Sequence, residues 1–327
     1  MNKKIMFLPL YNEDWASSKY RVYKHISYLE KYGLQCIVIK PSEPTFISRL
    51  QYYFKILWNI PIIDIIYIHK KIFRVLPFNF FLLTGKGIVF DFDDAIFCYD
   101  KDRDNINYIL TKVHQVVVAN EFLAVYARKY NKNVEIIPTP LESGHTRIDD
   151  KKIGNTLKIA WIGRPGNHHY LANIAEVFKK LKDYHRKIEL YVVSGEPFQF
   201  KNADFPVINI PWSEEAEEKV LHSIDIGIVP LTDDEWSSGK CGYKVLLYMS
   251  HGIPVIASPV GVKATLIENG INGLLASSQE EWVDSIRFLG EDRVLRRKMG
   301  ISGHETFLNN YTYDVVSARL AAILKSI

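Results

Sequence analysis

Short apolar, β-branched runs alternate with helical stretches along the whole chain, and this alternation limits the folds open to it more than any other feature. One block contains KIMFLPL (3–9), QCIVIK (35–40), DIIYIH (64–69), GIVFDF (87–92), QVVVAN (115–120) and VEIIP (134–138). A second contains LKIAWIG (157–163), IELYVVS (188–194), PVINI (206–210), IGIVPL (226–231), PVIAS (254–258) and GLLA (273–276). Strands separated by helices pair in parallel, because a parallel pair needs a long crossover. Near-continuous apolar strands such as DIGIVPL predict sheets covered by helices on both faces. Helices fit at 169–184, 213–222, 243–251, 261–268 and 279–289. In KYRVYKHISYLEKYG, residues Tyr20, Tyr23, His25, Ile26, Tyr28 and Leu29 form one apolar-aromatic stripe, and Gly33 stops the helix.

The polar stretch ESGHTRIDDKKIGNT (142–156) separates the two blocks as a linker. The expected fold is α/β, with two Rossmann-like lobes whose parallel sheets face a central cleft. Residues 1–150 form the N-terminal lobe on the acceptor side and 151–308 the C-terminal lobe on the nucleotide-sugar side. Residues 309–327 form a closing helix that packs back on the N-terminal lobe. A length of 327 residues suits two domains. Ligands of open parallel sheets bind at the carboxyl ends of strands, so functional residues are expected in the loops that follow them.

Composition excludes several classes. With 47% hydrophobic and 24% charged residues, the chain is neither disordered nor built to span a membrane. Its net charge of +4 favours anionic small molecules or an anionic surface and is too small for nucleic acid. Cys36, Cys98 and Cys241 are scattered and odd in number, which argues against a disulfide framework, and no C-x-x-C or H-x-x-x-H spacing points to zinc. MNKKIMFLPLYNED lacks a small-residue cleavage site and reads as a first strand. A reducing, cytoplasmic location follows. Between Ile56 and Leu83, Asp64, His69 and several cations break the apolar run below the ~20 residues a span requires. Arg49, Lys55, Lys70, Lys71 and Arg74 are interleaved there with Phe, Trp, Tyr and Leu. That region is either a buried strand between surface helices or a face that rests on an anionic membrane, the inner one for a cytoplasmic protein.

Four loops carry candidate chemistry. After the first strand, Ser17 or Ser18 can cap a helix whose first turn holds Lys19 and Arg21. Cations there suit an anion held between them and the backbone amides, although they are equally explained as solvated side chains. After GIVFDF, Asp91, Asp93 and Asp94 crowd one strand end, where mutual repulsion is costly unless a ligand, metal or proton is served. After LKIAWIG, Gly163, Pro165 and Gly166 make a tight turn holding Arg164, and Asn167 can cap the next helix. Such a turn suits a diphosphate. After IGIVPL, TDDEWSSGKCGYK leads into a helix. Gly239 and Gly242 permit close backbone approach, the amides near Gly242 and Tyr243 head the helix, and Lys240 and Lys244 stand one turn apart. This is the strongest anion-site candidate.

GYKVLLYMSHGIPVIASPVGVKATLIENGINGLLA resembles the second-lobe signature of glycosyltransferase family 4, the retaining two-lobe (GT-B type) transferases, in a bacterial glycan-biosynthesis branch. Met249, Gly252, Pro254, Val255, Val260, Gly261, Asn272, Gly273 and Leu274 fall in its register. EEWVDSIRFLGEDRVLRRKMG is similar to the family's downstream helices, and ASSKYRVYKHISYLEKYG, VFDFDDAIF, ANEFLAVYARKYNKNVEIIPTPLE and WIGRPGNHHYL resemble a bacterial branch of the same family. The resemblance implies a nucleotide-diphosphate sugar held mostly by the second lobe, an acceptor placed by the first, and front-face transfer in which the leaving diphosphate helps take the acceptor proton. It implies no metal and no other cofactor. Asp91-Phe92-Asp93 also matches the D-x-D pattern that holds a divalent ion in a different, single-domain transferase class, a role the two-lobe context argues against. Where the family commonly carries two glutamates eight residues apart, this chain has Gly239 and Leu247. The second usually grips the ribose. The first usually touches the donor sugar, and Glu235 or Asp234 is the substitute nearest in sequence. A family His falls at Asp93, so Asp93 or Asp94 is expected at the acceptor hydroxyl or donor sugar.

The function implied is transfer of a sugar from a nucleotide donor to a glycan or lipid-linked acceptor with retention. Catalytic weight falls on Asp93, Asp94, Lys240 and Arg164. Arg164, Asn167, Lys240, Gly242, Tyr243 and Lys244 hold the donor diphosphate, Glu235 the donor sugar, and Ser17, Ser18 and Arg21 an acceptor or phosphate. The competing reading is a sugar-nucleotide-binding or scaffold protein of the same fold with weakened catalysis, motivated by the missing glutamates.

Overall fold

The computed structural model describes residues 3–144, 156–201 and 205–327. The linker expected at 142–156, with the boundary at 150, lies almost wholly outside the described residues. The chain forms two compact units. The first comprises Met1–Pro140, Ser238–Cys241 and Tyr311–Ile327; the second comprises Leu141–Ser237 and Gly242–Asn310.

The first unit is built on β1 (Lys4–Pro9), β2 (Gln35–Val38), β3 (Ile65–His69), β4 (Gly87–Phe92), β5 (Gln115–Val118) and β6 (Val134–Ile136). All pair in parallel, in the order β2-β1-β3-β4-β5-β6. Every residue of β3 is buried, as the continuous apolar pattern requires. Ile5, Phe7, Ile65, Tyr67 and Val89 meet Val316, Leu320 and Leu324 of the helix Tyr313–Ser326 in one core. Tyr313 of that helix donates to the Tyr20 carbonyl at 3.0 Å and stacks on Tyr28 at 4.7 Å.

The second unit repeats the plan with β7 (Thr156–Ile162), β8 (Lys187–Ser194), β9 (Val207–Pro211), β10 (Ile226–Val229), β11 (Val255–Ala257) and β12 (Leu274–Leu275). Its parallel order is β12-β11-β10-β7-β8-β9. Trp161, Phe178, Leu190, Ile228 and Trp282 anchor its core.

All twelve strands fall where the apolar runs predict, but several stop earlier. The last residues of those runs turn outward into loops: Asn120 leaves the sheet to cap the helix Glu121–Ala127, its Oδ1 accepting from Leu123 N at 3.0 Å. The helix expected at 169–184 is broken into His168–Ala172 and Ala175–Lys180, and that at 261–268 shrinks to Lys263–Leu266, where Asn272 takes the Glu268 amide. The first helical stretch differs most. It runs from Ala16 to Lys31 with a π-helical turn over Lys19–Tyr23. Its buried face is Ser18, Arg21, Val22, His25 and Leu29, while Tyr20, Tyr23, Ile26 and Tyr28 are half-buried. Three polar side chains lie inward because each finds a partner there.

His25 is one of them. Its Nδ1–H donates to the Arg21 carbonyl at 3.1 Å, and Nε2 has no hydrogen-bond partner among the described residues. Burial, then the Arg21 charge, lowers its pKa to about 3. The unfolded chain therefore binds a proton that the folded chain refuses, at any pH between that value and the ordinary ~6.5. The stabilising effect is complete above the ordinary value and is lost progressively as pH falls below it. From pH ~6.5 to ~5 the loss is on the order of 2 kcal/mol. Urea unfolding at these two pH values should show that loss, and His25→Leu should reduce the difference by a similar amount.

Candidate active site

In the first sheet the strand order reverses between β1 and β3, and in the second between β7 and β10. Adjacent loops diverge at such a point, which makes it the natural ligand crevice of a parallel sheet. The polar clusters of both units lie there.

In the first unit, Ser17, His69, Lys70, Asp91, Asp93 and Asp94 gather past the ends of β3 and β4. Ser17 Oγ donates to the Asp93 carboxylate at 2.9 and 3.0 Å and lies 3.1 Å from His69 Nε2. His69 Nδ1 is 2.9 Å from Asp91 Oδ2. Lys70 Nζ bridges Asp93 Oδ1 at 2.8 Å and Asp94 Oδ2 at 2.5 Å. Lys70 adopts φ +55°, a left-handed conformation costly for a side-chain-bearing residue and typical of functional sites. Burial pushes the Asp93 carboxyl up, but the Lys70 ammonium, with His69 and Arg21, outweighs it and holds Asp93 well below the usual carboxylate range. Asp93 is thus a fixed anion at a strand end, while Asp94 is partly open to solvent.

Arg21 corrects an expectation. It is no ligand for an incoming phosphate, because it is only 2% exposed and turned into the protein. Nε meets Asp91 at 3.1 and 3.2 Å, and Nη1 donates to the Ile137 carbonyl at 2.9 Å and Thr139 Oγ1 at 3.2 Å. Burial alone would lower its pKa; the Asp91 charge and hydrogen bonds reverse this and raise it far above normal. Asp91 is correspondingly held low: burial pushes it up, and Arg21 and His69 overcome that push. Ser18 is buried as well, accepting from the Tyr11 amide at 3.2 Å, so it braces the loop after β1 from inside. Of the three residues expected in this loop, Ser17 alone reaches the Asp93 carboxylate.

In the second unit, Gly163–Asn167 follows β7, and Arg164 is exposed on the turn. Lys244 reaches this turn from the first turn of the helix Tyr243–Ser250. Its Nζ lies 4.1 Å from the Trp161 ring centroid, and a Cβ on Gly163 would sit 2.5 Å from that Nζ. Gly163 is thus where the lysine crosses the backbone. Gly242 precedes the helix Tyr243–Ser250 with φ +78° and, as a glycine, supplies no side-chain cap to it. Asn167 makes no side-chain cap to the helix at His168, contrary to expectation. His168 is half-buried between Trp161 and Phe198, its Nε2 2.9 Å from Ser194 Oγ. Glu235 is exposed in the first turn of Glu235–Ser238, whereas Asp234 is occupied, accepting from the Ser237 amide at 2.7 Å.

Lys240 and Lys244 fall in different units. Ser238–Cys241 belongs with the first: Asn120 Nδ2 donates to the Gly239 and Lys240 carbonyls at 3.1 and 3.3 Å. A Cβ at Gly239 would lie 2.4 Å from Ala95 Cβ and 2.8 Å from the Ala95 nitrogen, so no glutamate fits there. Leu247 is buried in its helix. His69 was not singled out from the sequence, and Lys70, read there as a cation of the candidate membrane face, is instead buried against Asp93 and Asp94; a His-Lys pair ending an apolar strand carries no spacing signal. Lys263, buried with Nζ 3.5 Å from the Ser237 carbonyl, had none either.

Residues 156–292 match the model of the family described as glycosyl transferases group 1. No curated protein sequence matches the chain. In fold the chain is similar to HepE of Anabaena in complex with UDP-glucose, with a TM-score of 0.72 and 13% identity over 100% of both chains. It is also similar to sucrose-phosphate synthase from Thermosynechococcus elongatus, with a TM-score of 0.76 and 13% identity over 99% of each. A third likeness is to the lipopolysaccharide outer core galactosyltransferase WaaB, with a TM-score of 0.65 and 12% identity over 99% of this chain and 100% of that one. The second unit carries a glycosyl transferases group 1 domain on a two-lobe α/β fold, and the chain is a glycosyltransferase.

Removing one partner from a buried ion pair costs more than the pair contributes, because the remaining charge is stranded. Asp91→Asn should therefore lower unfolding stability by roughly 3–5 kcal/mol in urea titrations.

Proposed function

We propose that the protein transfers a sugar from a nucleotide-diphosphate donor to a glycan or lipid-linked acceptor with retention of anomeric configuration. The observation that carries this is the convergence of Lys244 on the Gly163–Asn167 turn, from the first turn of a helix that the left-handed Gly242 introduces. A second support is that HepE of Anabaena, similar in fold, forms complexes with UDP and with UDP-glucose. Arg164, Lys244 and the amides at Gly242 and Tyr243 are assigned to the diphosphate, with Asn167 on the same turn and Lys240 three residues before the helix. These groups stabilise the charge that grows on the diphosphate as the bond to the anomeric carbon breaks. The acceptor oxygen bonds to that carbon from the same face, and its proton passes to the departing phosphate oxygen. No metal or other cofactor takes part in this scheme. Glu235 is assigned to the donor sugar. Asp93, fixed by Lys70 and Ser17, and Asp94 are assigned to hydroxyls of the acceptor or donor sugar.

A lipid-linked acceptor places the enzyme in the cytoplasm at the inner face of an anionic membrane. Among the described residues no helix is long and apolar enough to cross one. The lack of room at Gly239 and the burial of Leu247 favour a second reading, a sugar-nucleotide-binding protein with weakened turnover.

Nucleotide binding and turnover separate these readings. In a thermal-shift panel of UDP, GDP, dTDP, ADP and CMP, the cognate nucleotide at 100 times its Kd should add about 2.7 kcal/mol of stability. With the matching sugar nucleotide, Arg164→Ala and Lys244→Ala should each lower turnover about 10²–10³-fold. Binding without turnover would establish the weakened protein; no response to any nucleotide would refute both readings.

A further inference from the structure

More than half of the exposed large apolar side chains among the described residues lie between Phe46 and Leu83 of the first unit. The helix Phe46–Asn59 buries only Tyr52 and Ile56. On its opposite side it presents Phe46, Ile47, Leu50, Phe54, Leu57 and Trp58, with Phe46 80% and Trp58 73% exposed. At 100° per residue these positions fill an arc of roughly 120°. Arg49 and Lys55, both exposed, border the arc on its two sides. The helix Val75–Leu83 adds Leu76 and Leu83, 83% and 86% exposed, with Arg74 exposed just before it. The two helices are joined through Lys71 and Phe73: Lys71 Nζ lies 3.7 Å over the Tyr52 ring and 5.6 Å over Phe73, and Phe73 packs edge-on against Phe81.

Neither helix carries an acidic residue. The charges on the two helices and at Arg74 just before the second are therefore all of one sign, and the acidic residues nearest in sequence, Glu43 and Asp64, lie outside both helices. A second copy docking through the same face would bring Arg49, Lys55 and Arg74 against their own counterparts, with no carboxylate on either helix to answer them. An anionic bilayer answers both features at once: acyl chains take the aromatic and leucine side chains, and headgroups take the flanking cations.

We infer that the faces of Phe46–Asn59 and Val75–Leu83 form a docking surface for an anionic lipid bilayer, with Phe54 and Trp58 inserted and Arg49 and Lys55 on the headgroups. This deepens the membrane-side placement proposed above by naming the surface that makes it, and it stands whether or not the donor assignment is right.

The test is co-sedimentation of the full chain with phosphatidylcholine vesicles, with and without phosphatidylglycerol. Binding to the anionic vesicles is expected, at least tenfold weaker to the neutral ones and weakened by salt. Phe54→Glu/Trp58→Glu should abolish it, and Arg49→Glu/Lys55→Glu should remove the preference for phosphatidylglycerol. The nucleotide thermal shift should be unchanged in both variants. That control shows the second unit intact and reads the glycosyltransferase assignment separately. Absence of vesicle binding, or equal binding to both compositions, would overturn the inference. A dimer in sedimentation velocity that Phe54→Glu/Trp58→Glu dissociates, without vesicle binding, would assign the face to a second copy instead.

Discussion

The buried pair between Arg21 and Asp91 is the interaction on which the first unit's functional end depends. Arg21 comes from the π-helical turn after β1, Asp91 from the end of β4, and the carbonyl and hydroxyl it also engages belong to Ile137 and Thr139 beyond β6. One guanidinium thus ties three separate chain segments at the same edge of the sheet. Asp91 passes the constraint to His69, His69 to Ser17, and Ser17 to Asp93. The carboxylate assigned to substrate is held at the end of a chain of partners, each fixed by the previous one. Preorganised charge of this kind needs little rearrangement when a substrate arrives.

The two units reach similar ends by different means. The first uses side chains on side chains, because its strand ends carry both signs of charge. The second uses backbone: a glycine that lets Lys244 cross the turn and a left-handed glycine ahead of a helix. An anionic diphosphate is suited by the second arrangement and hydroxyl groups by the first. This division matches the donor and acceptor roles proposed for the two units.

Much of this was legible in the sequence. The strands were, because a strand buried on both faces must be a nearly unbroken apolar run, and such runs are visible one residue at a time. The Gly163–Asn167 turn after β7 was also legible as a turn, since glycine and proline between a strand and a helix have few other uses. The first helix misled because its stripe of tyrosines looked like a core face. Arg21 and Ser18 join His25 and Leu29 on the buried face instead, and no pattern in sequence announces that the partner of Arg21 lies seventy residues away. His69 was invisible for the same reason, and Lys70 was read as a membrane-face cation because its carboxylate partners end a different strand.

By itself, the sequence determined the parallel α/β plan, the two blocks of strands and the loops where chemistry would lie, because periodicity and strand-end position are properties of neighbouring residues. Only the tertiary structure decided what each charged group in those loops does. Arg21 became a brace, Lys70 a strained clamp on Asp93 and Asp94, and Gly239 a contact with Ala95 that admits no glutamate. The reason is physical: whether a charge serves a ligand or the fold depends on which opposite charge the folded chain brings within about 3 Å of it, and on how much water is excluded there.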